Sequence, residues 1–141
     1  MTRRLLSVSL ALWTGSLWTI CAIVAPSLFA IMPDRHLAGE LAAHFFRIES
    51  WLGLAFGGFT LALLARITAL RTTSNKLLVV VTAATPLLSE IALQPFMERA
   101  RAGGDMRTFG LLHGAAALLF GVACVTALLL VWQVSVNRPA E

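Results

Sequence analysis

Charge is scarce in this chain. Asp, Glu, Lys and Arg make up 13% of its 141 residues, against 58% hydrophobic residues, and the mean hydropathy is +0.82. Such a composition excludes an ordinary soluble domain. Also missing are a nucleophile elbow, a Walker loop, a CxxC pair, an HExxH zinc motif and the CxxCH of haem attachment, so no standard catalytic signature is present. No low-complexity segment, long linker or solenoid period divides the sequence, which reads as a single membrane domain over residues 1–141. The two cysteines, Cys21 and Cys124, do not suggest a disulfide. Counted from the outer boundary they lie about 16 Å and about 24 Å deep, whereas a disulfide needs much closer Cα atoms. The net charge of +4 does not indicate nucleic acid, because the basic residues stand at the ends of apolar runs, where they snorkel to headgroups or set topology.

What is present is apolar length. About 20 apolar residues cross the hydrocarbon of a bilayer, and four runs qualify, at about 5–32, 45–70, 77–97 and 108–136. The first contains no charge. It follows Arg3 and Arg4 like a signal peptide, but is too long for that, and Ile23 and Leu28 break the small-x-small cleavage pattern before Ala25 and Ala30. Short connections between the runs predict an all-α, integral membrane, four-helix antiparallel bundle. Ahead of the second span, Leu37, Leu41, Phe45, Ile48 and Leu52 recur at helical spacing beside a polar stripe of His36, Glu40, His44 and Arg47. This predicts an amphipathic outer helix, capped by Asp34, that leads into the span.

Placing both termini in the cytoplasm puts Arg3, Arg4, Arg66, Arg71, Lys76 and Arg138 inside, against Arg35, Arg47, Arg99, Arg101 and Arg107 outside, and the inner leaflet side keeps the majority. The expected location is a bacterial inner membrane. Small residues let helices approach closely in lipid, and Gly53-Gly57 and Gly110-Gly114 each form a GxxxG. Internal packing is the first expectation for both, with docking of a membrane partner or a second copy as the alternative.

The polar interior points to a site. Glu90 lies within the third span, about 10 Å below its outer boundary, and His113 enters the fourth span from the same side to about 8 Å. Pro26 reaches a similar level on the first span. Prolines 26, 86 and 95 each remove a backbone hydrogen bond, freeing the carbonyls of Ala22, Thr82 and Ile91. Intramembrane ionisable groups usually face a bundle interior or a cavity. Glu90 and His113, with Pro26 and Ser89, are therefore the expected ligand-binding set, and Glu90 with His113 the first candidate metal ligands. His36, Glu40 and His44 form a second, weaker metal pattern. His36 and His44 are about 12 Å apart along a helix, so they cannot grip one ion through a straight segment; a solvated polar face is the plainer reading.

The segments GSLWTICAIVAPSLFAIM, HLAGELAAHFFRIESWLG and RTFGLLHGAAALLF carry a resemblance over nearly the whole chain. With Gly15, Ala25-Pro26, Leu28-Phe29, Ala38-Gly39, Phe46-Arg47 and Phe109 ahead of His113, they resemble a bacterial family of uncharacterised four-helix membrane proteins related to transmembrane protein 205. That family is more distantly similar to copper-uptake membrane domains and to HemJ-type protoporphyrinogen oxidases. The resemblance implies a four-helix membrane fold and little about chemistry. The chain lacks the early first-helix histidine and the Arg-x-x-Asn-Glu signature of the oxidases, and Ala115 to Ala117 stand where a serine is expected after His113.

Three functions follow as expectations. The first is a non-enzymatic protein that binds or passes a small ligand or metal ion through an outer-leaflet pocket. The second is an accessory or assembly subunit of a membrane complex. The third is a haem-binding or redox protein with His44 and His113 as ligands.

Overall fold

The computed structural model describes residues 1–136; Arg138, counted above on the cytoplasmic side, lies outside them. Four helices, each long and apolar enough to cross a membrane, account for nearly all of these residues: α1 (Thr2–Ile31), α2 (Arg35–Ala65), α3 (Thr73–Ala102) and α4 (Met106–Val136). Each packs on its neighbours in sequence, and α4 returns to α1, closing a four-helix ring. The all-α membrane bundle expected from the apolar runs is the observed architecture.

The helices outrun those apolar runs. The expected connection at 98–107 is helical as far as Ala102, so Glu98, Arg99 and Arg101 are carried on the last turns of α3. The outer amphipathic helix is not a separate element, since α2 is continuous from Arg35 to Ala65. It ends at Ala65, short of the expected limit, and Thr68–Leu70 forms a 3₁₀ turn instead. Helix ends follow capping groups more closely than they follow hydropathy. Asp34 accepts from the backbone N–H groups of His36 and Leu37 at the start of α2, Thr72 from Asn75 at the start of α3, and Asp105 from Thr108 at the start of α4. The turn between α3 and α4 uses Gly104 at φ +74°, a left-handed conformation that suits a residue without a side chain.

Two of the three prolines within the spans follow π-helical segments. Ile20–Val24 precedes Pro26, and Ser89–Leu93 precedes Pro95. In each, a backbone N–H reaches back five residues, Ala25 to Ile20 and Gln94 to Ser89. Widening the turn makes room for a ring that cannot donate to the normal ladder. Pro86 is buried inside uninterrupted helix.

The inward faces are partly small and polar. Leu6, Leu10, Trp13 and Leu17 of α1 meet Phe120, Ala123, Cys124, Ala127 and Leu130 of α4 in one buried cluster. The inner face of α2 carries Ala38, Ala42, Glu49, Gly53, Gly57 and Thr60, while Leu37, Leu41, Phe45, Ile48 and Leu52 point outward. Lipid solvates bulky apolar side chains as well as a core does, so small residues are the ones that gain by facing another helix. The first GxxxG accordingly packs internally. A Cβ on Gly57 would stand 2.9 Å from the Cβ of Ala83, and one on Gly53 would stand 3.6 Å from Trp13 Nε1. Both glycines are covered, which removes Gly53 and Gly57 as a docking face. Gly110 and Gly114 differ, with nothing among the described residues within 4 Å of where a Cβ would stand.

Candidate functional site

Glu90 sits in the π segment of α3 with its side chain 16% exposed. Its partner is Arg47 of α2, whose Nε donates to Glu90 Oε1 at 2.5 Å. A terminal nitrogen of the same guanidinium lies 3.8 Å from Glu98 Oε1, two turns further along α3. A planar guanidinium offers several donors in fixed directions, so one arginine can serve two carboxylates. The second and third helices are thus clamped by charge at the end of the bundle that carries the 32–34 and 103–105 connections.

Beside this clamp lies an open groove of about 510 Å³ between α2 and α3, lined by His36, Glu40, His44, Arg47, Glu98 and Arg101 among others. His36 Nδ1 is 3.4 Å from Glu40 Oε1, and both side chains are well exposed. The guanidinium of Arg101 stands over the ring of Phe109 of α4, 4.6 Å from its centroid. It also lies against Gly39, where a Cβ would come within 3.3 Å of its terminal nitrogen. No carboxylate pairs with Arg101 among the described residues.

The expected pairing of Glu90 with His113 is therefore not what forms. His113 is exposed on α4, its ring stacked on Phe109 at 5.9 Å, and no hydrogen bond or ion pair joins it to Glu90 among the described residues. The depth count began at residues 97 and 108, whereas α3 runs to Ala102 and α4 starts at Met106; it also gave no facing direction, and a cation on α2 takes the carboxylate. Pro26 is exposed and Ser89 half-buried, with no side-chain hydrogen bond linking either to Glu90. For the metal patterns, no group of three or more His, Cys, Asp or Glu side chains is gathered to hold an ion among the described residues. His44 lies on the groove wall and meets Phe45 edge-on, on a different helix from His113.

Glu49 is not among the residues singled out from the sequence. The structure buries it completely, 0% exposed, with Ser16 Oγ donating to its Oε1 at 2.9 Å. The thiol of Cys124 lies within interaction range of both Cys21 and Glu49, and both cysteines are free. Trp18 Nε1 of α1 donates to the backbone oxygen of Cys124 of α4 at 3.3 Å; the depth count, which set the helix ends at residues 32 and 108, placed Cys21 and Cys124 at different levels.

A family model described as Domain of unknown function (DUF4149) matches residues 8–105. The chain belongs to that family. The DUF4149 match spans the first three helices, so it includes Arg47, Glu49, Glu90 and the groove walls on α2 and α3, and it stops at the turn before α4. No curated protein and no solved structure matches this DUF4149 member.

Proposed function

We propose that this DUF4149 protein is a non-enzymatic membrane protein that binds a small polar ligand in the groove between α2 and α3. The observation that carries the reading is the uneven charge pairing there. Arg47 is committed to Glu90 and Glu98, while the guanidinium of Arg101 stands over a ring and pairs with no carboxylate among the described residues. Its N–H donors suit an anionic oxygen, and Glu40 on the facing wall of α2, with Glu98 one turn before Arg101 on α3, suits an ammonium. A zwitterion of the phosphoethanolamine kind meets both demands at headgroup level. Glu90 acts in this reading by orienting Arg47. With both termini in the cytoplasm of a bacterial inner membrane, the groove opens toward the outer leaflet.

The test is a thermal-shift titration of detergent-purified protein with glycerophosphoethanolamine, inorganic phosphate and zinc ion in parallel. Stabilisation by the first, lost in Arg101→Ala, is the expected result. Stabilisation by zinc alone, lost in His44→Ala, would replace the reading with a metal site, and no response to any probe would remove it.

A second reading, docking to a membrane partner, is favoured by the open surface at Gly110 and Gly114. Small residues on an uncovered helix face permit close approach of another helix. Co-purification of a stoichiometric partner that is lost in Gly114→Leu supports it, and a solitary monomer in mild detergent counts against it.

A further inference from the structure

The bundle interior holds an ionisable group that the groove does not use. Glu49 is fully buried, and its Oε2 has no hydrogen-bond partner among the described residues. Its other oxygen meets Ser16, whose Oγ lies 2.9 Å from Glu49 Oε1 and also 2.9 Å from the backbone oxygen of Trp13. A serine hydroxyl has one hydrogen and two lone pairs, so it donates to one of these acceptors at a time. With the carboxylate ionised, the hydrogen points to Oε1. With the carboxyl protonated, the acid O–H donates to Ser16 Oγ, and the serine hydrogen turns to the Trp13 carbonyl. Both protonation states therefore keep the contact through rotation of one hydroxyl, with no heavy atom displaced.

The surroundings leave a proton as the natural occupant. Among the described residues no cationic side chain is bonded to Glu49. Arg47, two positions earlier on α2, is turned to Glu90 and Glu98. The titratable group brought near by the other packed helices is the thiol of Cys124 on α4, which in turn neighbours Cys21 on α1. Burying a carboxyl away from water and cations costs least when it carries a proton, and an ionisable residue inside a membrane bundle is a functional candidate by default.

We propose that Glu49 is a proton-binding site inside the bundle, taking up and releasing one proton, with Ser16 as the hydroxyl that serves both states. The step is balanced as one O–H bond made or broken on a carboxyl oxygen, with the carboxylate charge cancelled or restored. The site is independent of the groove, so Glu49→Gln leaves the response to glycerophosphoethanolamine unchanged.

The test is infrared spectroscopy of the purified full chain across an acid-to-alkaline titration, following the C=O band of a protonated carboxyl. A band present in acid and reversibly lost in alkali, absent from Glu49→Gln, retained in Glu90→Gln and displaced in midpoint by Ser16→Ala, is expected. A carboxyl that merely ties two helices together keeps its band at every pH, and that result overturns the proposal, as does a band lost in Glu90→Gln instead. Should Glu49→Gln fail to fold, labelling of the wild-type chain with a hydrophobic carbodiimide, which attacks protonated buried carboxyls, decides the matter. An adduct on the Glu49 peptide in acid that is lost in alkali supports the site, and its absence throughout removes it.

Discussion

Arg47 and Glu90 join the second helix to the π segment of the third, Nε to Oε1. The two partners are unequally placed, because the Glu90 side chain is 16% exposed and that of Arg47 is 47% exposed. Removing the arginine leaves a largely covered carboxylate without its donor, whereas removing the acid frees a cation that still has Glu98 nearby. Arg47→Ala is therefore expected to cost about 1–2 kcal/mol, between the values of exposed and charge-assisted pairs, and Glu90→Gln to cost less. Denaturation of the two single mutants and the double mutant in detergent checks this. Additive losses would mean that the pair contributes no coupling energy.

Gly57 and Ala83 set the separation of α2 and α3. Because a Cβ on Gly57 would stand only 2.9 Å from that of Ala83, Gly57→Ala forces the helices apart and is expected to destabilise by about 1–3 kcal/mol, the usual range for overpacking. Ala83→Gly in the same chain should restore much of the loss. Gly110→Ala and Gly114→Ala meet open space and should stay within about 0.5 kcal/mol in the isolated protein. Melting temperatures of the four variants distinguish the two GxxxG motifs.

The four helices were legible because apolar length is a one-dimensional property, readable without knowing which way any side chain points. The site was not, because it depends on facing direction. Counting from the ends of the apolar runs put Glu90 and His113 at one level, but α3 continues to Ala102 and α4 begins at Met106, and the acid turns to Arg47 while the imidazole lies on Phe109. The polar stripe of His36, Glu40, His44 and Arg47 was visible at helical spacing, but its opposite wall comes from the polar end of α3, which hydropathy assigned to a loop. Glu49 carried a signal that went unused. It precedes Gly53 by four residues and Gly57 by eight, so it shares the face that the GxxxG spacing had already turned inward.

Thr82 and Thr126 make a neutral link between α3 and α4, with their hydroxyl oxygens 2.8 Å apart. Each also has an acceptor one turn back on its own helix, the backbone oxygens of Leu78 and Val122. Loss of either hydroxyl therefore leaves the other satisfied, and the penalty should be small. Thr82→Val is expected to cost about 0.6 kcal/mol, the average for interhelical hydrogen bonds in a membrane, and a double-mutant cycle with Thr126→Val measures it. A loss several times larger would show that the hydroxyls hold more than each other.

Asp105 gives the turn before α4 a dependence on acid. Hydrogen bonds from the Thr108 side chain, and then from its backbone N–H, hold the Asp105 carboxyl below its usual range. A carboxylate depressed in the folded state stabilises the fold at pH above its unfolded value, about 3.9, and that contribution is lost as pH falls through the lower folded value. The melting temperature of wild type should therefore exceed that of Asp105→Ala at neutral pH, and the gap should narrow as acid is added below about pH 4. Because Asp105 is fully exposed, salt should weaken the charge-dependent part of the difference. A gap that stays constant from neutral to strongly acid solution would show that the ionised carboxylate is not what caps this helix.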